Sequence, residues 1–205
     1  MKAADGLHGR LVHPRRVQVL AAHAARLVPS DARVLDVGTG DGRIAAAIAD
    51  ARPDLRIEGL DVLVRADAAI PVAPFDGRTI ERPSRSVDVV TLFDVLHHAD
   101  DPEALLAEAS RVARSCVIVK DHVANGWIAR AILAFMDDVG NRRHGVALPH
   151  HYLSAGEWAA AITRLGLTRA RWDVGGLGLY PWPASLVFGA RLHVLARLDV
   201  DGGRA

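Results

Sequence analysis

An acidic residue precedes a glycine-rich turn in the segment RVLDVGTGDGRIAAAIAD, residues 33–50. An apolar run ends at Asp36, and Gly38, Gly40 and Gly42 then alternate with other residues before an alanine-rich stretch. Glycines allow positive φ and close approach of a ligand to the backbone, and the helix that follows presents its positive end. A carboxylate beside them would repel a pyrophosphate and attract an ammonium group. The turn is therefore predicted to bind a ligand that carries a cation.

A second acid, Asp61, lies 19 residues beyond Gly42, at the end of the next predicted strand. A carboxylate accepts two hydrogen bonds and can therefore bind both hydroxyls of a ribose. The same glycines also fit the loose G-x-G-x-x-A form of a dinucleotide-binding loop, which is a weak signal by itself. A nicotinamide-dependent oxidoreductase thus stays open. Asp36 disfavours it, as does the lack of a Tyr-x-x-x-Lys pair or a separate substrate domain.

Strands that alternate with helices predict a mostly parallel sheet covered on both faces. The predicted strands are RVLDV (33–37), LRIEGLD (55–61), a weaker one near 70–76, VDVVTLFD (87–94), CVIVKD (116–121), 167–174 and 187–197. Ligands of such sheets bind beyond the carboxyl ends of the strands. Three strands end in acids, Asp36, Asp61 and Asp94. The binding site is therefore predicted at that edge.

The composition narrows the class of protein. The 205 residues fit one domain, and 25 basic against 24 acidic residues leave no basic excess for binding nucleic acid. Cys116 is the only cysteine, which excludes an intrachain disulfide and a four-cysteine zinc site. The N-terminus carries charges, and the apolar stretch WIARAILAFM is too short for a membrane span. We expect a soluble, cytoplasmic protein; a monomer and a homodimer both stay open.

Two segments resemble a known family. LDVGTGDG resembles the D-x-G-x-G-x-G motif of class I S-adenosylmethionine-dependent methyltransferases. VDVVTLFDVLHHADDPEALLAEASRVAR is similar to the fourth strand and following helix of the branch that includes ubiquinone-biosynthesis C-methyltransferases. The resemblance covers residues 30–120 well and the remainder only in element order. It implies a Rossmann-like α/β fold with a seven-stranded, mostly parallel sheet, helices on both faces and the last strand antiparallel.

The same resemblance implies the activity. The cofactor would be S-adenosyl-L-methionine, the product S-adenosyl-L-homocysteine, and the acceptor an oxygen or carbon atom of a small organic molecule. A non-catalytic module that binds this cofactor stays open, because intact cofactor-binding acids indicate only that the cofactor binds. An oxidoreductase remains the less favoured alternative.

The resemblance also assigns cofactor-binding residues. Asp36 and the glycine turn would hold the methionine part, Asp61 the ribose and Asp76 the adenine amino group, with Thr91 near the sulfonium. Glu81, Arg82 and Ser84 stand where the family tends to have Pro, Phe and Asp, so the adenine loop is more polar than usual. The implied set is Asp36, Gly38, Thr39, Gly40, Gly42, Asp61, Val62, Asp76, Gly77, Phe93 and Asp94.

Candidate catalytic bases follow the fourth and fifth strands. Methyl transfer requires alignment of the acceptor, and a hydroxyl or carbon acid must also lose a proton. His97, His98 and His122 are the candidates, because the imidazole pKa lies near neutrality. Packing on the cofactor or capping of the next helix is the alternative for His97 or His98. No metal is predicted, since no two histidines have the i, i+4 spacing and no carboxylate-rich set is present.

A helix is predicted to begin at SAGEW, residues 154–158. About 30 residues separate it from the fifth strand, more than the fold needs to connect the two. GWIARAILAFMDDVG has apolar side chains at helical spacing, which fits a core helix or a lid over the acceptor, and we expect the lid. Late aromatic residues in a Gly/Pro-rich stretch are expected to join the pocket rim. The expected acceptor-binding residues are Trp127, Ile128, Phe135, His151, Tyr152 and Tyr180.

The expected organisation is a single methyltransferase domain over residues 1–205. Its parts are an N-terminal helical cap (1–30), the cofactor-binding core (31–122), a substrate lid (123–153), and a C-terminal helix and strands (154–198).

Overall fold

The computed structural model describes most of the chain, namely residues 13–141, 149–182, 184–188 and 191–200. The first twelve residues of the predicted cap and residues 142–148 of the predicted lid lie outside the described residues.

Seven strands form one sheet. They are β1 (Arg33–Val37), β2 (Arg56–Asp61), β3 (Val72–Pro74), β4 (Val87–Phe93), β5 (Ala113–His122), β6 (Leu167–Val174) and β7 (His193–Val200). Their order is β3-β2-β1-β4-β5-β7-β6, and only β7 runs antiparallel to its neighbours. The predicted fold class is confirmed. The order reverses between β1 and β4, where open sheets of this type bind ligands.

Helices connect these strands. They are α1 (His13–Ala25), α2 (Arg43–Ala51), α3 (Pro102–Val112), α4 (Gly126–Asn141), α5 (Ala155–Arg164) and α6 (Ser185–Phe188), with a 3₁₀ turn at Leu96–His98. Asp101 caps α3 by accepting hydrogen bonds from two backbone N–H groups, and Pro102 follows at the first helical position. The capping box of Ser154 and Glu157 begins α5. None of the described helices combines the length and the apolar character needed to cross a membrane.

One predicted strand is wrong in its first part. Residues 187–197 were expected to form it, but Ser185–Phe188 is helical and β7 begins at His193. A short apolar run such as SLVF has no clear period, so its sequence does not distinguish a strand from a helical turn.

Alternate residues of β5 serve opposite faces of the sheet. Val119 packs in the cluster that includes α3 and α5, whereas Ile118 packs in the cluster that includes α1 and α2. Because side chains alternate along a strand, Lys120 and His122 share the face of Ile118, and Asp121 lies on the other face. The polar side chains at the carboxyl end of β5 therefore lie on both faces of the sheet.

The helix predicted to be a lid, α4, packs on a small core cluster. That cluster contains Ala124, Leu133, Tyr152 and Leu192, and Met136 of α4 packs both against it and against the large cluster on the α1 face. The helix therefore contacts both its own small cluster and one of the large clusters of the sheet.

Candidate active site

The glycine turn joins β1 to α2 and opens on a cavity of about 520 Å³. Gly38, Gly40 and Gly42 have φ angles of 73°, 61° and 73°, in the left-handed region that favours glycine. A Cβ atom at Gly38 would lie 2.5 Å from Cγ2 of Val95, whereas one at Gly40 would meet no atom within 4 Å. The turn thus packs tightly against the chain after β4 and leaves room for a ligand at Gly40.

The cavity runs along the carboxyl ends of β1, β2 and β4, where three acids were predicted to meet. The predicted residues that line it are Gly38, Gly40, Asp61, Val62, Asp76, Gly77, Asp94 and His98. The remaining lining residues, which were not predicted, are Leu63, Arg65, Phe75, Arg78, Val95, Ala99, Asp100 and Leu105. Both apolar and charged side chains therefore line the cavity, as in sites that bind small molecules.

Two carboxylates are positioned by backbone N–H groups. Oδ2 of Asp61 accepts from the N–H of Gly40 at 2.7 Å, and its Oδ1 accepts from Leu63 at 2.8 Å. Oδ1 of Asp76 accepts from the N–H groups of Thr79 and Arg78, and these hydrogen bonds lower its pKa. A carboxylate has about four acceptor sites, so both groups keep capacity for a ligand.

Asp36 lies buried beneath the turn. Its oxygens accept hydrogen bonds from the hydroxyls of Thr39 and Thr91, each at 2.6 Å. Burial raises the pKa of Asp36 to about 6, against the lowering effect of these hydrogen bonds. Asp36 and Thr39 are not among the cavity-lining residues, nor is Phe93, which packs in the core on the α1 face. A direct contact of these residues with a ligand stays a prediction.

Four imidazoles form a row from the cavity wall into the protein. The ring centroids are 4.0 Å apart for His98 and His97, 4.5 Å for His97 and His122, and 5.0 Å for His122 and His193. The structure thus brings the three predicted histidines together. His193 was not predicted; it is the register partner of His122 in the β5–β7 pair, a relation that appears only once the strand order is known.

His97 is held by a carboxylate. Its Nδ1 lies 2.7 Å from Oδ1 of Asp121, and its Nε2 lies 3.5 Å from Oδ2 of Asp137 on α4. Burial lowers the pKa of His97, but the charge and hydrogen bond of Asp121 outweigh this effect and leave the pKa above its usual value. Asp121 is itself fixed by the N–H of Leu96 at 2.9 Å. His97 and Asp121 therefore form an oriented acid–base pair.

Asp94 lines the cavity and also contacts two cationic side chains behind it. It accepts hydrogen bonds from Nζ of Lys120, which is fully buried, and from Nη2 of Arg16 on α1. Burial alone would raise the pKa of Asp94, but Lys120 and Arg16 hold it well below its usual range. Its φ of 58° is uncommon for a residue other than glycine. The carboxylate is thus charged and held at a strained position, as is typical of functional sites.

The structure brings three possible metal ligands together, and the sequence analysis did not predict this group. Atoms of Asp94, His97 and His122 lie within 4.8 Å of one another. Lys120 and Arg16 already neutralise Asp94, so a divalent ion there would meet two nearby cations. The electrostatics disfavour a metal, and its absence stays a prediction.

The predicted lid side chains point to solvent. Trp127, Ile128 and Phe135 are 79%, 57% and 60% exposed, while Leu133 and Asp137 form the buried side of α4. The helix is apolar around much of its circumference, which explains why its sequence does not define the buried side. Asp137 is a site residue that the sequence analysis missed.

The other predicted acceptor-binding residues lie near the histidine row. Tyr152 is buried and donates a hydrogen bond to Asp137. Tyr180 is buried and stacks on His193 at 5.6 Å. His151 is exposed, and its Nδ1 donates to the carbonyl oxygen of Ala99 at 2.8 Å. The two tyrosines thus pack against the histidine row, and whether they contact an acceptor stays a prediction.

Comparison with known proteins identifies the class. A family model described as a methyltransferase domain matches residues 12–169. The ubiquinone biosynthesis O-methyltransferase of Xanthomonas axonopodis pv. citri is 30% identical over 202 residues, covering 87% of this chain and 79% of that protein. The protein of the same name from Xylella fastidiosa strain M23 is 27% identical over 196 residues, covering 86% and 74%.

The chain therefore belongs to the methyltransferase-domain family. It is a class I methyltransferase, and its cofactor is S-adenosylmethionine. These relatives are named O-methyltransferases, whereas the sequence resemblance was drawn to a branch with C-methyltransferases.

Solved structures share the fold. An S-adenosylmethionine-dependent methyltransferase from Mesorhizobium loti has a TM-score of 0.64 at 15% identity, covering 88% of this chain and 97% of that one. One from Aquifex aeolicus has 0.62 at 14%, covering 96% and 98%. The [4+2]-cyclase SpnF has 0.63 at 15%, covering 90% and 80%. Because the fold also carries a cyclase, the reaction must be argued from the site.

Proposed function

We propose that this enzyme transfers the methyl group to a hydroxyl oxygen of a small organic molecule, which binds beside Asp94 beneath α4. The His97–Asp121 pair carries the proposal, because a hydroxyl acceptor must lose a proton and an oriented histidine is suited to remove it. The names of the curated relatives support oxygen rather than carbon as the acceptor atom.

The cavity lining supports the assignment of cofactor-binding residues. Bound S-adenosylmethionine would supply a methyl group on a sulfonium, and the neutral thioether S-adenosylhomocysteine would be the leaving group. Gly38 and Gly40 would approach its methionine part, Asp61 would accept from the ribose hydroxyls, and Asp76 would accept from the adenine amino group. Phe75 offers an apolar wall beside the adenine.

The chain's own groups align the acceptor and remove its proton. The Nδ1–H of His97 donates to Asp121, which leaves Nε2 to take the proton from the hydroxyl. Asp137 now lies against that nitrogen, so the acceptor enters when α4 moves aside. Segment 123–153 would thus act as the lid of a single domain.

Asp36 should make cofactor binding depend on pH. Its pKa of about 6 in the free protein falls when a ligand ammonium approaches, so affinity for S-adenosylhomocysteine should rise about tenfold from pH 5 to 7. Calorimetry over this range measures the change. Asp36→Asn keeps the size of the side chain and should abolish the rise. An equal rise of affinity with pH in Asp36→Asn would show that the pH dependence comes from another group and not from Asp36.

Transfer of a labelled methyl group tests the proposal. S-adenosylmethionine with a tritiated methyl group is incubated with panels of phenols, aliphatic alcohols, amines and carbon acids, and products are identified by mass spectrometry. We expect methyl ethers of hydroxyl compounds and equimolar S-adenosylhomocysteine. Methylation confined to nitrogen or carbon would contradict the oxygen assignment. Cofactor binding without any transfer would favour the non-catalytic alternative.

A further inference from the structure

The connection between β3 and β4 places Asp76 at the cofactor cavity but contains no helix or strand of its own. Residues 75–86 form this connection, and most of their side chains are exposed or half-buried. Ile80 is its one fully buried side chain and packs in the core cluster that includes α3 and α5. Side-chain burial therefore anchors the chain beyond Asp76 at a single residue.

Two side chains of α3 bond to the backbone of Ile80. Oε2 of Glu108 accepts from the N–H of Ile80 at 3.1 Å, and Nη2 of Arg111 donates to its carbonyl oxygen at 2.9 Å. Nη1 of Arg111 also donates to the carbonyl oxygen of Arg82 at 2.9 Å. The guanidinium and the Glu108 carboxylate bond to each other at two points, each 2.8 Å long. The pair thus gives Ile80 the two hydrogen bonds that a neighbouring strand would otherwise supply.

The anchored residue follows directly on one that holds Asp76. The N–H of Thr79 donates to Oδ1 of Asp76 at 2.7 Å. Because peptide units are planar, only the φ and ψ of Thr79 separate this N–H from the N–H of Ile80 that Glu108 accepts. The N–H of Arg78 also bonds to Oδ1, so Oδ2 of Asp76 keeps acceptor capacity for an amino group.

We propose that Glu108 and Arg111 are positioning residues that set the preference of the cofactor site for adenine. By fixing the backbone of Ile80, they hold the Asp76 carboxylate where it accepts from the adenine amino group. This inference rests on the proposed function, which assigns Asp76 to the adenine. Neither Glu108 nor Arg111 lines the cavity, so both act through the connection and not by contact with the cofactor. A carboxylate held in this way accepts from an amino group and disfavours an oxygen in its place.

S-inosylhomocysteine tests this preference, because an oxygen replaces the amino group of its base. In calorimetry, the wild type should bind S-adenosylhomocysteine at least about tenfold more tightly than S-inosylhomocysteine, and Asp76→Ala should bind the two with similar affinity. Arg111→Met should reduce the preference to about twofold, by weakening the binding of S-adenosylhomocysteine. Arg111→Lys keeps the charge but not the planar fork, so it should behave in the same way. It carries the test if Arg111→Met does not fold.

A double variant separates positioning from a general loss of structure. In the Asp76→Ala background, Arg111→Met should change neither affinity by more than about twofold, because the carboxylate that it positions is gone. An equally large loss of affinity with and without Asp76 would assign Arg111 a merely structural role and overturn the inference. Arg164→Met is the matched control, since Arg164 makes a two-point pair with Glu103 of the same helix α3. It should keep the full preference.

The outcomes distinguish this inference from the function on which it rests. Loss of the preference in Asp76→Ala, together with full preference in both Arg111 variants, would overturn the inference and leave the proposed function standing. Full preference in Asp76→Ala, or no preference in the wild type, would instead contradict the assignment of Asp76 to the adenine, and the inference would fail with it.

Discussion

Replacing His97 with glutamine should lower kcat for methyl transfer by about 10²–10⁴-fold and leave the affinity for S-adenosylhomocysteine near that of the wild type. The reason is that Nε2 of His97 removes the acceptor proton in the proposed mechanism, while the side chain does not line the cofactor cavity. Single-turnover rates and calorimetry, measured on the same preparations, separate the two effects. A loss of both in equal proportion would indicate a structural role.

The pH dependence distinguishes a base from a packing residue. Because Asp121 raises the pKa of His97 above its usual value in the folded protein, the wild-type rate should rise with pH through that raised pKa. Asp121→Asn removes the carboxylate that raises it, so the rising limb should move to lower pH. In His97→Gln the limb should disappear. An unchanged limb in both variants would assign proton removal to another group.

Replacing Asp94 with alanine should lower the free energy of unfolding by about 3–5 kcal/mol. The substitution leaves Lys120, which is fully buried, and Arg16 without their common carboxylate. Urea unfolding measures the change. Asp173→Ala breaks an exposed pair with Arg171 and should change stability by less than about 1 kcal/mol. Equal effects of the two substitutions would show that the buried pairs contribute little.

The pH range of this contribution follows from the direction of the pKa shift. The pKa of Asp94 is lower in the folded protein than in the unfolded chain. Its stabilising effect is therefore fully present above the unfolded pKa near 3.9, and it is lost as the pH falls through the folded value. The contribution of the Asp94 carboxylate itself should therefore not vary from pH 5 to 8. In Asp94→Ala the pKa of the buried Lys120 loses the charge that raises it and falls further, so a change of the stability difference within this range would report the titration of Lys120.

The cofactor side of the site could be predicted from the sequence because its signals are local. A run of β-type residues followed by an acid marks a strand end, and the glycine turn follows directly. Parallel strands bring such ends to one edge, so Asp61 and Asp94 were expected beside the glycines, and both line the cavity with them. Asp76 was expected only because of the family resemblance, and it also lines the cavity.

The acceptor side could be predicted only in part, because its contacts are long-range. His97 and His122 follow strand ends and were identified, but His193 meets His122 through an antiparallel register that no local pattern encodes. Asp137 lies one turn beyond Leu133, yet the buried side of α4 is set by packing on its small cluster. Trp127 and Phe135 have the expected helical spacing and still face solvent.

Calorimetric binding of S-adenosylhomocysteine to the wild type and to Asp61→Ala, with NADH and NADPH as controls, tests most directly that this cavity is the cofactor site. We predict saturable binding of S-adenosylhomocysteine to the wild type, at least tenfold weaker binding to Asp61→Ala, and no binding of either nicotinamide cofactor. Asp67→Ala, an exposed acid outside the cavity, should bind as the wild type does. Thermal unfolding checks that Asp61→Ala retains its fold without the hydrogen bonds to Gly40 and Leu63. Equal affinity in a folded Asp61→Ala, or binding of a nicotinamide cofactor alone, would contradict the assignment.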